Sequence, residues 1–405
     1  MSNSTMRRPK TWKDYGARIA VYTILSVAGI VVLVPFILAF FGSFKTAEDV
    51  FTYPPRLLPR DPAVVTVDGK QLPVFQVPVG SGTQNLARTE QGVSVREFRG
   101  IDDPNVVVLA PKSSATEVPG KTTTVDGQQV PVYTVTVDGQ PVEVYNARSR
   151  IVNAYVDPNN PNAPPVYAPA SDTVPAEQLG WHAENYSKVL QLNSFHRSLT
   201  NTVLVTVLVV VGQVVTSIMG GYAFSRLRFR GRDQLFLFYL GSIMIPFVVL
   251  MIPLYRLMVT IGWVNNLVSL IIPFVFTAYG TFLMRQFFVS IPRELEEAAI
   301  IDGAGRWRIL WGVLVPLSIP AIATLATFSF LYAWNSFIWP LIVIDSGNLD
   351  NSVLSLTLSV LGGRAADAPN LILAGVMLAM LPPVTVFLLA QRSFVENAAS
   401  SGLKG

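Results

Sequence analysis

The sequence predicts an all-α membrane protein with six transmembrane helices and a small β-rich external domain inserted between helices 1 and 2. Three observations predict this fold class. Of the 405 residues, 51% are hydrophobic and only 14% are charged, whereas a typical soluble domain has about 25% charged residues. Several uncharged stretches exceed the roughly 20 residues that a helix needs to cross about 30 Å of hydrocarbon. Residues 61–180, by contrast, are rich in Pro, Val, Thr, Asp and Gly.

Six apolar stretches are the predicted transmembrane helices. The first is too long for a cleavable signal peptide, and no small-residue cleavage site follows it. The fifth belongs to a longer uncharged run that Pro316 and Pro320 are expected to break. The six predicted spans are Ile19–Phe44, Leu199–Ser225, Leu235–Tyr255, Leu257–Met284, about Ser318–Ile342 and about Leu371–Gln391.

Basic residues predict the orientation of these spans, because short cytoplasmic loops carry an excess of Lys and Arg. On one side they precede span one, lie between spans two and three and between spans four and five, and follow span six. These residues are Arg7, Arg8, Lys10, Lys13, Arg18, Arg226, Arg228, Arg230, Arg232, Arg285, Arg293, Arg306, Arg308, Arg392 and Lys404. The short loops of the opposite side have only Arg256 and Arg364. We therefore expect a multi-pass protein of the cell (inner, cytoplasmic) membrane with both termini cytoplasmic and residues 45–198 external.

A short unit recurs in the inserted segment and predicts β-hairpins. The sequence Thr-Val-Asp-Gly begins at Thr66, Thr124 and Thr136. Asp-Gly between β-branched runs is a strong hairpin signal, so we expect a small β domain whose short strands are limited by prolines. Residues 157–175 are expected to form an extended return linker. Two interpretations stay open for this domain: an accessory domain without chemistry, or a docking surface for an external partner.

These features divide the chain into three parts. Residues 1–60 contain the cytoplasmic N-terminus and the first span, and residues 61–180 contain the insert and its Pro-rich linker. Residues 181–405 contain spans two to six together with a cytoplasmic loop at about 285–317.

The composition excludes several kinds of chemistry. The chain has no cysteine, which excludes disulfides and Cys-ligated metals, and its two histidines are too few for a histidine-rich metal site. A net charge of +4 is too small to indicate nucleic-acid binding. The sequence also has no phosphate-binding GxxxxGK[ST] stretch. We expect no catalytic residue, no metal site and no cofactor bound by this chain.

The cytoplasmic loop predicts a helix-turn-helix projection. Pro292 suits a first helical turn, and Glu294 complements the helix dipole there. Leu295, Ala298, Ala299 and Asp302 fall on one helical face, where two alanines leave room for another surface to approach closely. Gly303 is placed to end the helix in a left-handed conformation. A second short helix is expected from Arg306 to Val315.

This loop resembles the EAA loop of ATP-binding-cassette importer permeases. The matching residues are Glu297-Ala298-Ala299, Asp302-Gly303-Ala304, Ile309, Pro316-Leu317 and Pro320. Further matches are Phe44-Lys45-Thr46, Glu184-Asn185-Tyr186 and Trp334 to Leu341, and the C-terminus from Ser401 resembles that of the shorter permease subunit of maltose-type carbohydrate importers. The resemblance covers about residues 10–60 and 180–405, and the insert lies outside it.

The resemblance implies a set of partners. ATP and magnesium would be bound by two separate cytoplasmic ATPase subunits, a second permease subunit would complete a heterodimer, and an external solute-binding protein would deliver a sugar. The residues that would dock in a cleft of the ATPase are Glu297, Ala298, Ala299, Asp302, Gly303 and Ala304. The tail that would insert between the ATPase subunits is Gly402, Leu403, Lys404 and Gly405.

The resemblance also indicates two regions that would meet the solute or its carrier. The external loop 345–370, mobile in composition, would contact the binding protein through a stretch that includes Gly347, Gly362 and Gly363. Asn335, a polar group at membrane depth, and its neighbour Trp334 either line the translocation path or pack against other helices. Other functions stay open: import of another solute such as a glycerol phosphodiester, a membrane-anchored receptor with a β ectodomain, or a secondary transporter. The last is disfavoured because the spans hold no convincing embedded acid or base.

Overall fold

A computed structural model describes the backbone of residues 12–402, except residues 81, 104–105, 126, 138–139, 346 and 364–366. The chain divides into two compact units. One unit is Leu58–Trp181, and the other combines Met1–Leu57 with His182–Gly405.

The second of these units is helical. Its helices are α1 (Trp12–Gly42), α2 (Ala47–Val50), α3 (Glu184–Gln191), α4 (Phe195–Arg226), α5 (Arg232–Gly241), α6 (Phe247–Thr260), α7 (Val268–Ile271), α8 (Ala278–Ser290), α9 (Glu294–Ile301), α10 (Arg306–Ile309), α11 (Val315–Leu317), α12 (Ile319–Trp334), α13 (Ile338–Val343), α14 (Leu354–Gly362) and α15 (Pro369–Gly402). A π-helical turn, Leu310–Leu314, joins α10 to α11.

Four helical segments in the described part of the chain are long and apolar enough to cross a membrane. They are Arg18–Gly42, Phe195–Arg226, Val268–Ser290 and Pro369–Gln391. Two further pairs of segments satisfy the same criteria jointly but are sharply bent: Arg232–Met244 with Phe247–Thr260, by 97°, and Arg306–Leu317 with Ile319–Trp334, by 81°. The protein is therefore a membrane protein with several apolar helices.

Three of the predicted spans differ from the structure in their continuity. The stretch Leu235–Tyr255 is broken where Ile245 adopts an extended conformation before Pro246, because a residue that precedes proline disfavours the helix. The stretch Leu257–Met284 is broken after Thr260 at Gly262, which has a φ of +73°. Span five is interrupted after Trp334 and resumes as α13. A proline marks the first break and a glycine the second, whereas the third falls at residues 335–337.

The external loop predicted to be mobile is largely ordered. Residues 354–362 form α14, on which Leu354, Leu356 and Leu361 are buried. The prediction was wrong for this part because small and polar residues were weighed more heavily than the apolar residues of the Leu354–Leu361 stretch. Residues 364–366 lie outside the described part of the chain.

The other unit is built from antiparallel strands. They are β1 (Arg60–Pro62), β2 (Val64–Val67), β3 (Lys70–Val79), β4 (Gly82–Gly100), β5 (Val107–Ala110), β6 (Thr116–Val125), β7 (Gln128–Val137), β8 (Gln140–Val156), β9 (Val166–Ala168), β10 (Val174–Pro175) and β11 (Glu177–Leu179). Nine form a sheet of order β10-β3-β4-β8-β7-β6, with β2, β5 and β9 added on β3, β4 and β8, and β1 pairs with β11.

The hairpin prediction is confirmed at all three Asp-Gly positions. Strand β2 pairs with β3, β6 with β7 and β7 with β8, each antiparallel. Residues 126, 138 and 139 at the second and third turns lie outside the described residues. In the first, Asp68 and Gly69 both have positive φ, 51° and 76°, as a type I′ turn requires.

The prediction of short strands limited by proline was wrong. Strand β4 has 19 residues and β8 has 17. Five prolines lie inside strands. Pro73, Pro78, Pro131 and Pro141 are each paired with one neighbouring strand only, and Pro119 lies in the irregular stretch of β6 between Glu117 and Thr122. Proline is tolerated there because its missing N–H can fall on the unpaired side.

The stretch 157–175 is also more ordered than a return linker. Val166–Ala168 forms β9 beside β8, and Val174–Pro175 forms β10 beside β3.

Candidate functional site

The loop between α8 and α12, which the sequence predicts to be cytoplasmic, forms the predicted helix-turn-helix. Helix α9 ends at Gly303, whose φ of +77° confirms the left-handed conformation. The Gly303 N–H donates to the Ile300 carbonyl and the Ala304 N–H to the Ala299 carbonyl, each at 2.9 Å. This pair of bonds is the Schellman motif, which satisfies carbonyls at the end of a helix. The turn therefore fixes the direction in which the chain leaves α9.

The predicted accessible face of α9 is exposed at Leu295, Ala298 and Asp302 but not at Ala299. Ala299 and Ala304 pack against a buried cluster that includes Ile218, Phe288 and Leu310. The exposed residues along the opposite face are Glu294, Glu297, Ala298 and Ile301. Ala299 is thus on the inner side, because it supplies the apolar contact that accompanies the Schellman turn.

Large apolar side chains project from this loop. Ile300 is 56% exposed, Ile301 is 85% exposed and Trp307, at the start of α10, is 64% exposed. Glu297, Ala298 and Asp302 lie exposed beside them. Exposed apolar side chains on a loop are available for contact with another surface. We name the surface formed by Glu297, Ala298, Ile300, Ile301 and Trp307 the loop surface.

Arg226, the last residue of α4, holds the loop in place. Its side chain is 4% exposed and donates to the main-chain carbonyls of Phe288, at 2.5 Å, and Ile291, at 2.7 Å, at the end of α8. Its guanidinium also lies 3.6 Å from the Glu296 carboxylate on the inner side of α9. One buried cation thus connects α4, α8 and α9. The sequence reasoning treated Arg226 only as one of the basic residues that set topology.

The two residues predicted for the translocation path are placed differently from each other. Trp334 is buried, stacks on Phe330 and donates from Nε1 to the Ala379 carbonyl at 3.1 Å. Asn335 is exposed and donates from Nδ2 to the Leu331 carbonyl of its own helix at 2.8 Å. Trp334 therefore joins α12 to α15, and Asn335 marks the break between α12 and α13.

A cavity of about 720 Å³ lies between α4, α6, α8 and α12. Its lining combines aromatic residues with polar side chains that the sequence analysis did not single out. The polar members are Gln213, Ser242, Thr277, Tyr279, Ser329 and Tyr332.

Gln213 organises one wall of this cavity. Its Nε2 donates to the Phe274 carbonyl at 2.7 Å, and its Oε1 accepts from the Ser329 hydroxyl at 2.6 Å. One turn further along α4, Thr216 donates to the Val275 carbonyl at 2.7 Å. These carbonyls are available to side-chain donors because the helical backbone is interrupted between Phe274 and Ala278. The side-chain bonds matter because unsatisfied carbonyls are costly in a membrane. The available sequence signal was Gln213, an amide inside an uncharged span.

The glycines proposed for the external loop occupy well-defined positions. The Gly347 N–H donates to the Asp345 carboxylate at 3.0 Å, while Gly362 ends α14 and Gly363 follows it. Asn265 and Asn201 hold this region, since Asn351 donates to the Asn265 carbonyl at 2.6 Å and Asn201 donates to the Asp350 carbonyl at 2.8 Å.

The C-terminal prediction falls mostly outside the described residues. Gly402 is the last residue of α15, and Leu403, Lys404 and Gly405 are not described. Within the described residues, no group of three or more His, Cys, Asp or Glu side chains is arranged to hold a metal ion.

The two short motifs that flank the insert in sequence meet in space. Asn185 is buried, and its Nδ2 donates to the carbonyls of Ser43 and Lys45, each at 2.9 Å. Its Oδ1 accepts from Asn370 at 3.1 Å, and the Tyr186 hydroxyl lies 2.7 Å from the Ser43 hydroxyl. This network, which we call the asparagine clasp, joins the end of α1 to α3 and to the start of α15.

Comparison with known proteins gives consistent matches. The family described as "Binding-protein-dependent transport system inner membrane component" matches residues 198–398. The chain is 35% identical over 239 residues to the sn-glycerol-3-phosphate transport system permease protein UgpE of Rhizobium meliloti, covering 57% of this chain and 84% of that protein. It is also 35% identical over 205 residues to the arabinooligosaccharides transport system permease protein AraQ of Halalkalibacterium halodurans, covering 51% of this chain and 73% of that protein.

A solved structure shares the fold. It is a bacterial ABC transporter involved in the import of the acidic polysaccharide alginate, with a TM-score of 0.57, 19% identity and coverage of 95% of this chain and 99% of that chain. At this identity the likeness shows the fold alone.

Proposed function

The chain belongs to the family of binding-protein-dependent transport system inner membrane components, and from this premise we propose that its cytoplasmic loop couples a sugar import path to a separate ATPase. The chain is a permease subunit of an ATP-binding-cassette importer and not an enzyme, since hydrolysis of ATP belongs to a partner subunit in such importers. The observation that carries the proposal is the loop surface, in which Ile301 and Trp307 are exposed on a firmly held loop.

Rigidity is what a coupling element needs. A loop that swings freely would absorb the movement of a partner, whereas a loop tied to packed helices passes it on as rigid-body motion. The Schellman turn at Gly303 and the Arg226–Glu296 pair connect α9 to α4 and α8. Motion applied at the loop surface would therefore reach the helices that line the cavity around Gln213.

We propose six membrane spans, with each bent helix pair counting as one. In this topology both termini and the coupling loop are cytoplasmic, and the β unit between α2 and α3 is extracytoplasmic. The excess of basic residues on the cytoplasmic side supports this orientation. Helix α1 is exposed from Arg18 to Leu38, which suits contact with lipid or with a second permease.

The assembly we propose contains this chain, a second permease, two ATPase subunits that bind ATP and magnesium, and an external solute-binding protein. Each permease would form half of the path. On this chain, the cavity lined by Gln213, Tyr279, Ser329 and Tyr332 supports that role, because aromatic faces and hydroxyl groups suit a sugar.

The solute is proposed to be a sugar or sugar-derived compound. The named relatives comprise permeases for arabinooligosaccharides and for sn-glycerol-3-phosphate. These names favour a carbohydrate or glycerol phosphate solute over an ectodomain receptor, whose function would not require a coupling loop.

The loop surface can be tested with one substitution. We expect Ile301→Asp to release the ATPase on purification, because a charge would replace an 85% exposed apolar contact, while the second permease stays bound. The measurement is the ATPase retained per permease, with labelled sugar uptake in membrane vesicles as the second readout.

Ile151→Asp provides the matched control, since Ile151 is 77% exposed on the β unit. It should retain the ATPase. Normal ATPase retention and normal uptake in Ile301→Asp would remove the coupling role from this loop.

A further inference from the structure

A compact arginine cluster lies on the β unit. Arg96 and Arg99 are on β4, and Arg148 and Arg150 are on the adjacent strand β8. The segment 58–181 as a whole is acidic, with nine Lys and Arg against thirteen Asp and Glu. Three of the nine basic residues, Arg99, Arg148 and Arg150, thus gather on one face of a sheet in a segment whose overall charge is negative, while Arg96 lies on the opposite face.

Three of these arginines converge on one buried carboxylate. Glu97 has a side chain only 2% exposed, and it accepts two bonds from Arg99, at 3.0 and 3.2 Å, and one from Arg148 at 2.8 Å. The Arg150 guanidinium lies 3.5 Å from the same carboxylate. The register places Glu97 opposite Arg148 and Val95 opposite Arg150, so these side chains share one face of the sheet.

The cluster keeps a positive excess. Glu97 is the one carboxylate that pairs with these three arginines in the described part of the chain, so two positive charges are left uncompensated. The hydrogen bonds from Arg148 and Arg99 hold the pKa of Glu97 below its ordinary value. The carboxylate therefore stays ionised at neutral pH and keeps orienting the guanidinium groups.

The guanidinium groups remain accessible. The side chains of Arg99, Arg148 and Arg150 are 40%, 59% and 38% exposed. Each guanidinium has five N–H donors in a planar fork, and the bonds to Glu97 use only some of them. The remaining donors are pre-oriented, which lowers the entropy lost on binding an anion.

We propose that Arg99, Arg148 and Arg150, held by Glu97, form a binding site for the anionic group of a small acidic solute, a carboxylate or a phosphate. Both groups match the bidentate geometry of arginine. Calling the ligand a solute rests on the proposed transport function, whereas anion binding by the site does not.

The surroundings favour a small solute over a protein partner. Neighbouring positions on the same face hold Thr134, Glu143 and Tyr145, so the site is polar and includes one aromatic ring. Protein interfaces have an apolar, aromatic-rich core within a standard area of about 800 Å² per partner. Three guanidinium groups around one carboxylate can contact only one or two anionic groups, which is the number that a small solute carries.

The test is direct binding to the purified full-length protein in its complex. A galacturonic acid trisaccharide is compared with the neutral galactose trisaccharide, and glycerol phosphate is compared with glycerol. We expect the anionic member of at least one pair to bind, its neutral counterpart not to bind, and affinity to fall as salt is raised. The two pairs distinguish a carboxylate from a phosphate.

Arg150→Gln is the informative variant, because Arg150 has the longest contact with Glu97 and its loss leaves two arginines to hold the carboxylate. We expect the Kd to rise about tenfold or more, whereas Arg150→Lys should give a smaller rise because it keeps the charge but not the fork. Arg96→Gln is the control: Arg96 is adjacent to Glu97 but alternates to the opposite face, where it donates to Ser149 at 2.6 Å.

Three results would overturn the site: no binding of either anion at millimolar concentration, equal binding of the neutral analogues, or equal losses in Arg150→Gln and Arg96→Gln. Retention of a solute-binding protein that depends on Arg150, without binding of either small anion, would contradict the solute assignment. ATPase retention is measured in parallel and should be unchanged in Arg150→Gln, which separates failure of this site from failure of the coupling proposal.

Discussion

At the scale of single residues, the loop that contains α9 and α10 depends on the backbone conformation of Gly303. No atom lies within 4 Å of the position that a β-carbon would occupy there. The cost of a side chain therefore comes from the φ of +77° and not from a clash within the chain. This distinction allows strain to be tested separately from packing.

We expect Gly303→Val to disturb the loop, because an L side chain in the left-handed region costs about 1–2 kcal/mol and a β-branched one is disfavoured further. The ATPase retained on purification and the uptake per ATP hydrolysed should both fall. Gly303→Asn should be milder, since asparagine tolerates this conformation.

Gly305→Val is the matched control for that substitution. Gly305 has a φ of −74° and open space around its β-carbon position. If the two valine variants lost coupling equally, the conformation of Gly303 would not be the cause.

At the scale of elements, the ends of α4, α8 and α9 are joined through Arg226. Its partner Glu296 is the inward-facing glutamate of α9, while Glu297 is exposed. The sequence places both glutamates in one helix, but it does not show which one faces a buried arginine. That assignment depends on a contact between residues 70 positions apart.

We expect Glu296→Gln to loosen α9, because Arg226 then keeps a 4% exposed charge without a counter-charge. The free energy that holds α9 in place should fall by about 3 kcal/mol, as it does when one partner of a buried ion pair is removed. Since the chain has no cysteine, a single cysteine at Ala298 can carry a spin label. Label mobility should rise in Glu296→Gln and stay unchanged in Glu297→Gln, and equal mobility in both variants would contradict the role of Arg226.

Elements were predictable where the signal is local. The apolar runs that became α1, α4 and α15, the Asp-Gly hairpins and the end of α9 at Gly303 follow from composition, turn chemistry and helix capping. The bend at Pro246 and the end of α6 before Gly262 were missed because hydropathy measures the length of an apolar stretch and not the direction or continuity of the helix. The long strands β4 and β8 were missed because proline is excluded only from positions paired on both sides.

The candidate sites were likewise predictable only where their residues are close together in the sequence. The helix-turn-helix of residues 294–309 was predictable because its residues are contiguous in the sequence. The wall of the cavity was not, because Gln213 and Ser329 are 116 positions apart in the chain and are joined by one hydrogen bond. Trp334 and Asn335 were chosen for their polarity and aromatic character, yet their hydrogen bonds go to helix carbonyls.

At the scale of the whole molecule, the β unit and the helical unit have separate cores. The clusters around Val77 and Phe98 involve only residues of the β unit, and those around Met284, Trp339 and Phe195 involve only helical residues. The asparagine clasp belongs entirely to the helical unit. Its bonds do not require the residues of the sheet.

We therefore expect replacement of residues 60–179 by a short Gly/Ser linker to leave the second permease and the ATPase bound. Asn185→Ala in the full-length chain should be more harmful, because it removes three hydrogen bonds of a buried side chain, each worth about 1 kcal/mol. Both variants are assayed by co-purification of the partner subunits and by the melting temperature of the complex.

Gln191→Ala is the control for the asparagine variant, since Gln191 lies exposed at the end of the same helix. Loss of the partners from the linker variant would show that the sheet is required for assembly.

The asparagine clasp has a consequence for how such chains diversify. Arg60 of β1 is paired with Leu179 of β11, and the Gly180 N–H donates to the Pro59 carbonyl at 3.3 Å, so the points where the polypeptide leaves and re-enters the helical unit are neighbours in the chain's fold. For a flexible connection, each doubling of its length adds only about 0.6 kcal/mol of closure entropy. The segment between these two points can therefore be inserted, lost or exchanged without changing the contacts among the helices. Variation in the inserted unit can then proceed independently of the transport helices.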